Sequence, residues 1–406
     1  MNSTSTRSAP PVHGSVAEVN FDAIAHNVRE VRTAAAPGGI VAVVKANAYG
    51  HGLEVAVEGL QRAGVTRYAV ATVDEGCRLR EQGVLGQIIL LGGATWFRDP
   101  KVLWDFKLTP VISSDTEVAR LMEFCEAENG FAPLPVHLAL DTGMTREGVP
   151  LHQEQSPDMM AIASAIDRSS GLRLEGVMSH FANADLASTA LTHQQLHLFL
   201  EMAISLVSKF SDLKELHIDN SAALLSALKA ETHLQRLFEK RSDLTVLARP
   251  GISLYGVSPF PNQAHQQRLK PVLTWKAPIV VRKRVPPRTP VSYGSTVITQ
   301  RTTEIAVLGA GYADGYARAA SGRGYVLCAG RRAPILGRVC MDLMVVDLTD
   351  IVAEFGSESC GVGEDVVLLG EQAGESIDAW ELAQWSGTIA YECLTSIGER
   401  VHRVAT

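Results

Sequence analysis

Several things are scarce in this sequence, and each scarcity removes a class of answer. No stretch of the 406 residues approaches the roughly 20 apolar residues that a membrane-spanning helix needs. The polar start, Met1-Asn-Ser-Thr-Ser-Thr-Arg-Ser-Ala-Pro, lacks the apolar core of a secretion signal and reads as a short disordered leader, residues 1–14. Positive charge is in deficit: the formal net charge is −7 at pH 7, which offers nothing to a nucleic-acid backbone or an anionic membrane. Cysteine is sparse, and Cys77, Cys125, Cys328, Cys340, Cys360 and Cys393 are scattered, with no two at a metal-ligand spacing. That pattern suits reduced thiols in a cytoplasmic protein without a metal centre. Internal repeats and low-complexity tracts are missing as well. What remains, at 46% hydrophobic and 20% charged residues, is a globular chain for small-molecule partners, too long for one ordinary core and suited to two domains.

The patterning divides the chain. From residue 20 to about 255, short β-branched runs alternate with amphipathic stretches. Strands are expected at Ile40–Val44, Arg67–Ala71, Gln87–Leu91, Thr109–Ile112, Val136–Leu140, Arg173–Met178, Glu215–Ile218 and Thr245–Ala248. Helices are expected at Phe21–Ala35, Glu54–Ala63, Asp74–Glu81, Asp115–Glu128, Met159–Arg168, Thr189–Lys209 and Ala222–Leu228. That rhythm predicts an α/β fold with an N-terminal (β/α)8 TIM-type barrel over residues 15–262. A doubly wound open sheet would want a glycine-rich phosphate turn after the first strand, and Lys45-Ala-Asn-Ala is not one. The polar, proline-bearing segment Pro259–Lys270 reads as a linker. Residues 263–406 then read as a mostly β C-terminal domain, with strands Val272–Val281, Glu304–Leu308, Tyr325–Cys328, Met344–Asp347 and Asp365–Leu369 and a helix near Ala379–Trp385.

In such a barrel, chemistry collects on the loops after the strands. Lys45 follows the first strand, where partial burial would lower its pKa and free its amine for Schiff-base chemistry. By itself a lysine there only marks a strand's exit. Ser221, after the seventh strand, supplies a hydroxyl, and Gly251 and Ile252, after the eighth, supply backbone N–H groups that one anion could share. A lysine and a phosphate cradle on one face point to pyridoxal 5'-phosphate. Arg249 opens the same loop. A guanidinium only donates, so beside that cofactor it would face an unprotonated pyridine nitrogen, which favours proton shuffling at the α-carbon over reactions needing a strong electron sink.

These residues sit in motifs that resemble the alanine racemase family over nearly the whole chain, from about Ala17 to Val401. The motifs are Val-Val-Lys-Ala-Asn-Ala-Tyr-Gly-His-Gly around Lys45, Asp-Thr-Gly-Met-Thr-Arg ending at Arg146, Ser-His-Phe-Ala-Asn-Ala-Asp at His180, Asp-Asn-Ser-Ala-Ala at Ser221, Ala-Arg-Pro-Gly-Ile-Ser-Leu-Tyr-Gly from Ala248, Val-Ser-Tyr-Gly-Ser at Tyr293, Gly-Tyr-Ala-Asp-Gly at Tyr312 and Gly-Arg-Val-Cys-Met-Asp ending at Asp342. The resemblance implies an isomerase that interconverts L- and D-alanine, with the cofactor bound covalently as an aldimine on Lys45. It implies Lys45 as the base for D-alanine and Tyr293 as the base for L-alanine. Arg146 and the Met341 backbone N–H would bind the substrate carboxylate, and Arg146 also the cofactor's phenolic oxygen. Tyr49, Ser221, Gly251, Ile252 and Tyr391 would hold the phosphate, His180 would link Arg249 to Tyr293, and Tyr312 with Tyr391 would narrow substrate access. A head-to-tail homodimer with shared active sites and a role in supplying D-alanine as a peptidoglycan precursor are implied in the same way. Taken alone, Tyr293, Met341 and His180 read as a sheet aromatic, a core residue and a satisfied buried histidine.

Two departures from the family's commonest pattern stand out. Thr145 and Glu147 flank Arg146, where glycine and an apolar residue are usual. Ala139 stands where many relatives carry a lysine whose carbamate braces the arginine, so Arg146 needs a bound anion such as chloride or another side chain, or is held less firmly. A broader or serine racemase of the same fold is the alternative function. The Val-Ser-Tyr-Gly motif argues against a decarboxylase of similar architecture, and residues 270–406 argue against a single-barrel cofactor-carrying protein.

Overall fold

The structure is a computed structural model that describes residues 14–128, 131–151, 159–186, 190–226, 241–261 and 268–406. All of the expected leader but Gly14, the middle of the expected linker, Thr189 and the end of the helix expected at Ala222–Leu228 lie outside the described residues. The chain divides into two compact units, one made of Asp22–Ala48 and Val57–Lys270, the other of Met1–Phe21, Tyr49–Ala56 and Pro271–Thr406. No described helix is long and apolar enough to cross a membrane.

The first unit is a parallel barrel. Among the described residues its eight strands are Gly39–Ile40 continued by Ala42–Val43, then Arg67–Val70, Gln87–Leu90, Thr109–Ile112, Leu134–Asp141, Leu172–Met178, Glu215–His217 and Thr245–Ala248. The first strand closes the ring in two pieces, Gly39–Ile40 pairing with the last strand and Ala42–Val43 with the second. The Val41 and Val43 amides reach the Ala248 and Pro250 carbonyls at 2.8 and 2.9 Å, while Val44 N–H reaches Ala69 O at 2.9 Å. Closure leaves no unpaired edge, and a strand covered on both faces must be apolar throughout, as the buried run Ile40–Val44 is.

Helix Phe21–Ala35 lays the stripe Ala23, Ile24, Asn27, Val28, Val31 and Ala35 against the barrel. Asn27 is the polar member of that stripe. Its amide donates to Leu254 O and Lys270 O, and its carbonyl accepts from Lys270 N–H, pinning the chain where it leaves the barrel. The helix Lys101–Asp105 was not expected, since five residues are too few to show a helical period.

The second unit is built around the strand Leu273–Val285. It pairs antiparallel with Val16–Val19, Asp365–Gln372 and Thr303–Leu308, and its register shifts between Ile279 and Val281. Met344–Asp347 extends the sheet from Thr303–Leu308, and His402–Ala405 runs parallel to Val16–Val19. The sequence reading placed residues 15–262 in the barrel, whereas Val16–Val19 belongs to this sheet. Nothing local could reveal that, because both strands that cover Val16–Val19 lie beyond residue 270. The strands Arg331–Pro334 and Glu375–Ile377 were also unforeseen.

Candidate active site

Lys45 follows the first barrel strand, and the backbone then turns the wrong way. Ala46, Asn47, Ala48 and Tyr49 have φ of 53°, 53°, 54° and 53°, a left-handed turn costing roughly 1–2 kcal/mol per non-glycine residue. Two sets of bonds hold it. Ala48 N–H donates to Val44 O at 2.9 Å, and the Glu75 carboxylate accepts from Ala46 N–H at 2.6 Å. The other oxygen of Glu75 accepts from Ala71 and Thr72 N–H at 2.8 and 3.2 Å, as part of the capping box of helix Val73–Glu81. One carboxylate thus ties the helix start to the lysine turn. Burial, then the Arg146 charge, holds the Lys45 amine below its ordinary pKa; Glu147 and Glu75 oppose this, and Arg249 adds to it.

Arg249 is buried, and its four terminal N–H bonds are committed to protein. Nη1 donates to His217 O and His217 Nδ1, both at 2.8 Å. Nη2 donates to Ser179 O at 2.6 Å and His180 Nδ1 at 3.1 Å. Among the described residues Nε–H has no acceptor, which leaves one donor for a ligand. Burial brings this guanidinium down to about 10, with Asp219 opposing and Arg146 assisting, so it stays cationic at neutral pH. His180 is held far below its usual range by burial and then by Arg249, Arg146 and Lys45. A neutral His180 that accepts at Nδ1 carries its hydrogen on Nε2 and presents a donor there.

The Arg146 loop is shaped by Asp141, whose Oδ1 accepts from Gly143, Met144 and Thr145 N–H at 2.9, 3.0 and 3.0 Å. Arg146 is exposed and has no side-chain brace among the described residues. A small open cleft beside it is lined by Ala139, Met144, Arg146, Glu147, Ser179 and His180, among others. The loop after strand seven starts the helix Ser221–Leu225, capped by Asn220 Oδ1 on the Ala222 and Ala223 amides. Ser221 Oγ accepts from Gly251 N–H at 2.9 Å and from Ser253 Oγ at 3.0 Å. The hydroxyl and the amides expected to share an anion are therefore adjacent, with Gly251 N–H already turned onto Ser221.

In the second unit, Tyr49 and Tyr391 lie with ring centroids 6.2 Å apart. Burial pushes the Tyr49 hydroxyl up to about 12. Gly50 (φ 80°) packs so tightly that a Cβ would stand 1.8 Å from Leu394 O, on the helix that carries Tyr391. Tyr293 opens a short turn after Ser292, whose Oγ donates to Arg338 O at 2.6 Å and lies 3.5 Å from Cys340 Sγ. Tyr312 and Ala313 N–H donate to Cys340 O and Met341 O at 3.0 and 2.9 Å. Three loops thus bring Tyr293, Tyr312 and Met341 to one part of this unit. Tyr293 is 71% exposed and Met341 53%, so Met341 is not the core residue that its surroundings in sequence suggested, and Tyr293 lies in a short turn and not in a sheet.

Four contributors escaped the sequence reading: Glu75, Ser179, His217 and Ser253. His217 had a usable signal, a buried-strand histidine two residues before Asp219 at the mouth of a barrel strand. Glu75 shows only as a capping-box acid, and its second role exists only in three dimensions.

The donor set fits pyridoxal phosphate: a depressed amine for its aldehyde, a hydroxyl with neighbouring amides for its phosphate, and one uncommitted guanidinium N–H for its ring nitrogen. Comparison with known proteins agrees. Residues 19–259 match the model of the alanine racemase N-terminal domain, and residues 272–405 that of the alanine racemase C-terminal domain. An alanine racemase of Carboxydothermus hydrogenoformans is 38% identical over 390 residues, covering 96% of this chain and 98% of its own. One of Halothermothrix orenii is 36% identical over 388 residues, covering 95% of each chain. The alanine racemase of Streptomyces lavendulae superposes with a TM-score of 0.84 at 32% identity, covering 98% of both chains. That of Bartonella henselae, solved with covalently bound pyridoxal phosphate, superposes with a TM-score of 0.79 at 26% identity, covering 98% of this chain and 100% of its own. A two-part barrel-and-sheet chain, with a lysine, an arginine pair and a hydroxyl cradle at the barrel mouth, belongs to the alanine racemase family.

Proposed function

We propose that this enzyme interconverts L- and D-alanine in the cytoplasm with pyridoxal 5'-phosphate carried on Lys45, using Lys45 and Tyr293 as proton carriers on opposite faces of the substrate's α-carbon. When bound, the cofactor draws electron density away from the α-carbon and so acidifies its proton. Lys45 Nζ, kept below its usual pKa by burial and by Arg146, takes or returns that proton on the D-alanine side. Tyr293 Oη serves the L-alanine side. His180 Nε2–H stabilises the tyrosine oxygen when it has lost its proton, and Arg249 holds His180 in that tautomer through its own donation to Nδ1. Arg146, with the Met341 N–H, binds the substrate carboxylate. Ser221, Gly251, Ile252, Tyr49 and Tyr391 hold the phosphate, and Tyr312 with Tyr391 narrows the approach. Because Tyr293 is so exposed on its own chain, it fits a head-to-tail homodimer in which each tyrosine completes the other subunit's site.

The observation that carries this reading is the pairing of a depressed Lys45 amine with an Arg249 guanidinium whose Nε–H alone lacks an acceptor among the described residues. The purified protein is expected to be yellow. Borohydride is expected to fix the cofactor to the peptide that contains Lys45, as read by peptide mass spectrometry; label on another lysine would sink the assignment. Incubation with L-alanine in D2O should yield both enantiomers carrying α-deuterium, and a panel of L-amino acids, serine included, tests substrate breadth.

Ala139 bears on Arg146. With no side-chain brace among the described residues and a methyl group facing the cleft, the arginine depends on a small anion. Replacing chloride by a bulky anion at constant ionic strength should lower kcat/KM severalfold, and Ala139→Lys should shrink that dependence. An unchanged rate on anion exchange would show that Arg146 needs no anion.

A further inference from the structure

Beneath Arg249 a line of polar side chains runs down the barrel's interior. Strand residues two apart face the same way, so Glu215 and His217 both point inward. On the neighbouring strands Gly176 stands between them and His137, pairing in register with both His137 and Glu215. Gly176 has no side chain to fill the gap, and a Cβ there would lie 2.6 Å from the His137 ring. The imidazole therefore crosses the missing side chain and meets the strand beyond: His137 Nδ1 is 2.8 Å from His217 Nε2, and His137 Nε2 is 3.3 Å from Glu215 Oε2. Both histidines are wholly buried.

Hydrogen placement along this line follows from chemistry. The Arg249 guanidinium only donates, so His217 Nδ1 must accept. His217 is kept neutral by burial and then by the Arg249 charge, so its hydrogen sits on Nε2 and points at His137. His137 Nδ1 must then accept in turn, and its own hydrogen sits on Nε2. That atom is buried without a well-formed bond, and Glu215 Oε2 is the acceptor within reach. Glu215 is held ionised: burial opposes this, but His137, Gln87 and Arg67 outweigh it. Every N–H in the line points from the guanidinium toward the carboxylate.

We propose that Glu215 and His137 are positioning residues for Arg249, fixing the two imidazole tautomers so that His217 always offers Arg249 an acceptor and its Nε–H stays aimed at the cofactor's ring. The last clause rests on the reading of Arg249 given under the proposed function; the tautomers do not. A divalent cation is the competing occupant, since His137, Glu175 and Glu215 offer ligand atoms within 4.8 Å of one another. A cation would need a bare His137 Nε2, the opposite tautomer, and the carboxylates already face Arg173, Gln87 and Arg67.

Neutron diffraction from the deuterium-exchanged holoenzyme reads the tautomers directly. The expected result is deuterium on Nε2 of both His137 and His217 and on Nδ1 of neither. Deuterium on Nδ1 of either ring, or a metal scatterer between His137 and the glutamates, overturns the proposal even if the protein racemises alanine normally. Variants supply the functional arm. In Glu215→Gln the amide oxygen can still accept from His137, so kcat and cofactor affinity should stay within about threefold of wild type. Glu215→Leu removes the acceptor, and both should fall by about tenfold, the worth of one hydrogen bond to a charged group. Equal losses in the two variants would mean that the carboxylate's charge, and not the direction of the line, is what matters, which also overturns the proposal.

Discussion

Tyr293→Phe is expected to abolish racemisation while leaving an exchange that works from one side only. Without the phenol, the L-alanine face has no proton carrier, and the interconversion rate should fall by roughly 10²–10⁴-fold. Lys45 is untouched by the change, so D-alanine should still exchange its α-proton with D2O while L-alanine should not. Tyr293 is exposed and carries no packing load, so the variant should fold and keep its yellow colour. The measurement is NMR integration of the α-proton of each enantiomer over time. Equal loss of exchange from both enantiomers would refute the division of labour between the two bases.

Mixed dimers should recover activity that neither parent has. Lys45 lies at the mouth of the barrel unit and Tyr293 in the sheet unit. If each active site takes Lys45 from one subunit and Tyr293 from the other, Lys45→Ala and Tyr293→Phe homodimers are both dead. A dimer with one subunit of each kind has one site carrying both changes and one carrying neither. Random pairing in equal amounts makes about half the dimers mixed, so roughly a quarter of wild-type activity returns. Co-expression with two different affinity tags isolates the mixed species, because a large interface need not exchange when finished proteins are simply combined. Mixed dimers that stay inactive would mean that one chain builds a whole site.

The barrel was legible because its signal is repetitive. Thr109–Ile112 and Thr245–Ala248 are observed with the bounds their β-branched runs suggested, and the other strands differ by a residue or two at their ends. The break in the first strand at Val41 was hidden, since a buried apolar run looks the same whether it pairs with one neighbour or changes neighbours midway. Val16–Val19 was hidden for a different reason. Its four residues alternate as an ordinary edge strand, and only the distant strands Leu273–Val285 and His402–Ala405 give it a place. Lys45, Arg146, His180, Ser221, Arg249 and Tyr293, the residues proposed for the site, could be singled out because each sits in a distinctive short string. Glu75, His137 and Glu215 lie outside those strings. Their significance depends on a carboxylate reaching a turn 29 residues away and on a glycine that leaves room for an imidazole, neither of which periodicity records.

The turn after Lys45 also limits which residues can follow the lysine. Four successive residues in the left-handed region accept glycine and asparagine readily and alanine at a cost, but crowd any side chain branched at Cβ. Ala46, Ala48 and Asn47 are small or suited to that region, and valine, isoleucine or threonine at any of the three would be refused by the backbone before side-chain chemistry was consulted. Left-handed φ is the ordinary preference of a D-residue, so for four positions an L-polypeptide follows the path its mirror image would take. That inversion directs the chain from a right-twisted strand into Gly50, and it restricts the alphabet beside the lysine independently of anything the lysine does.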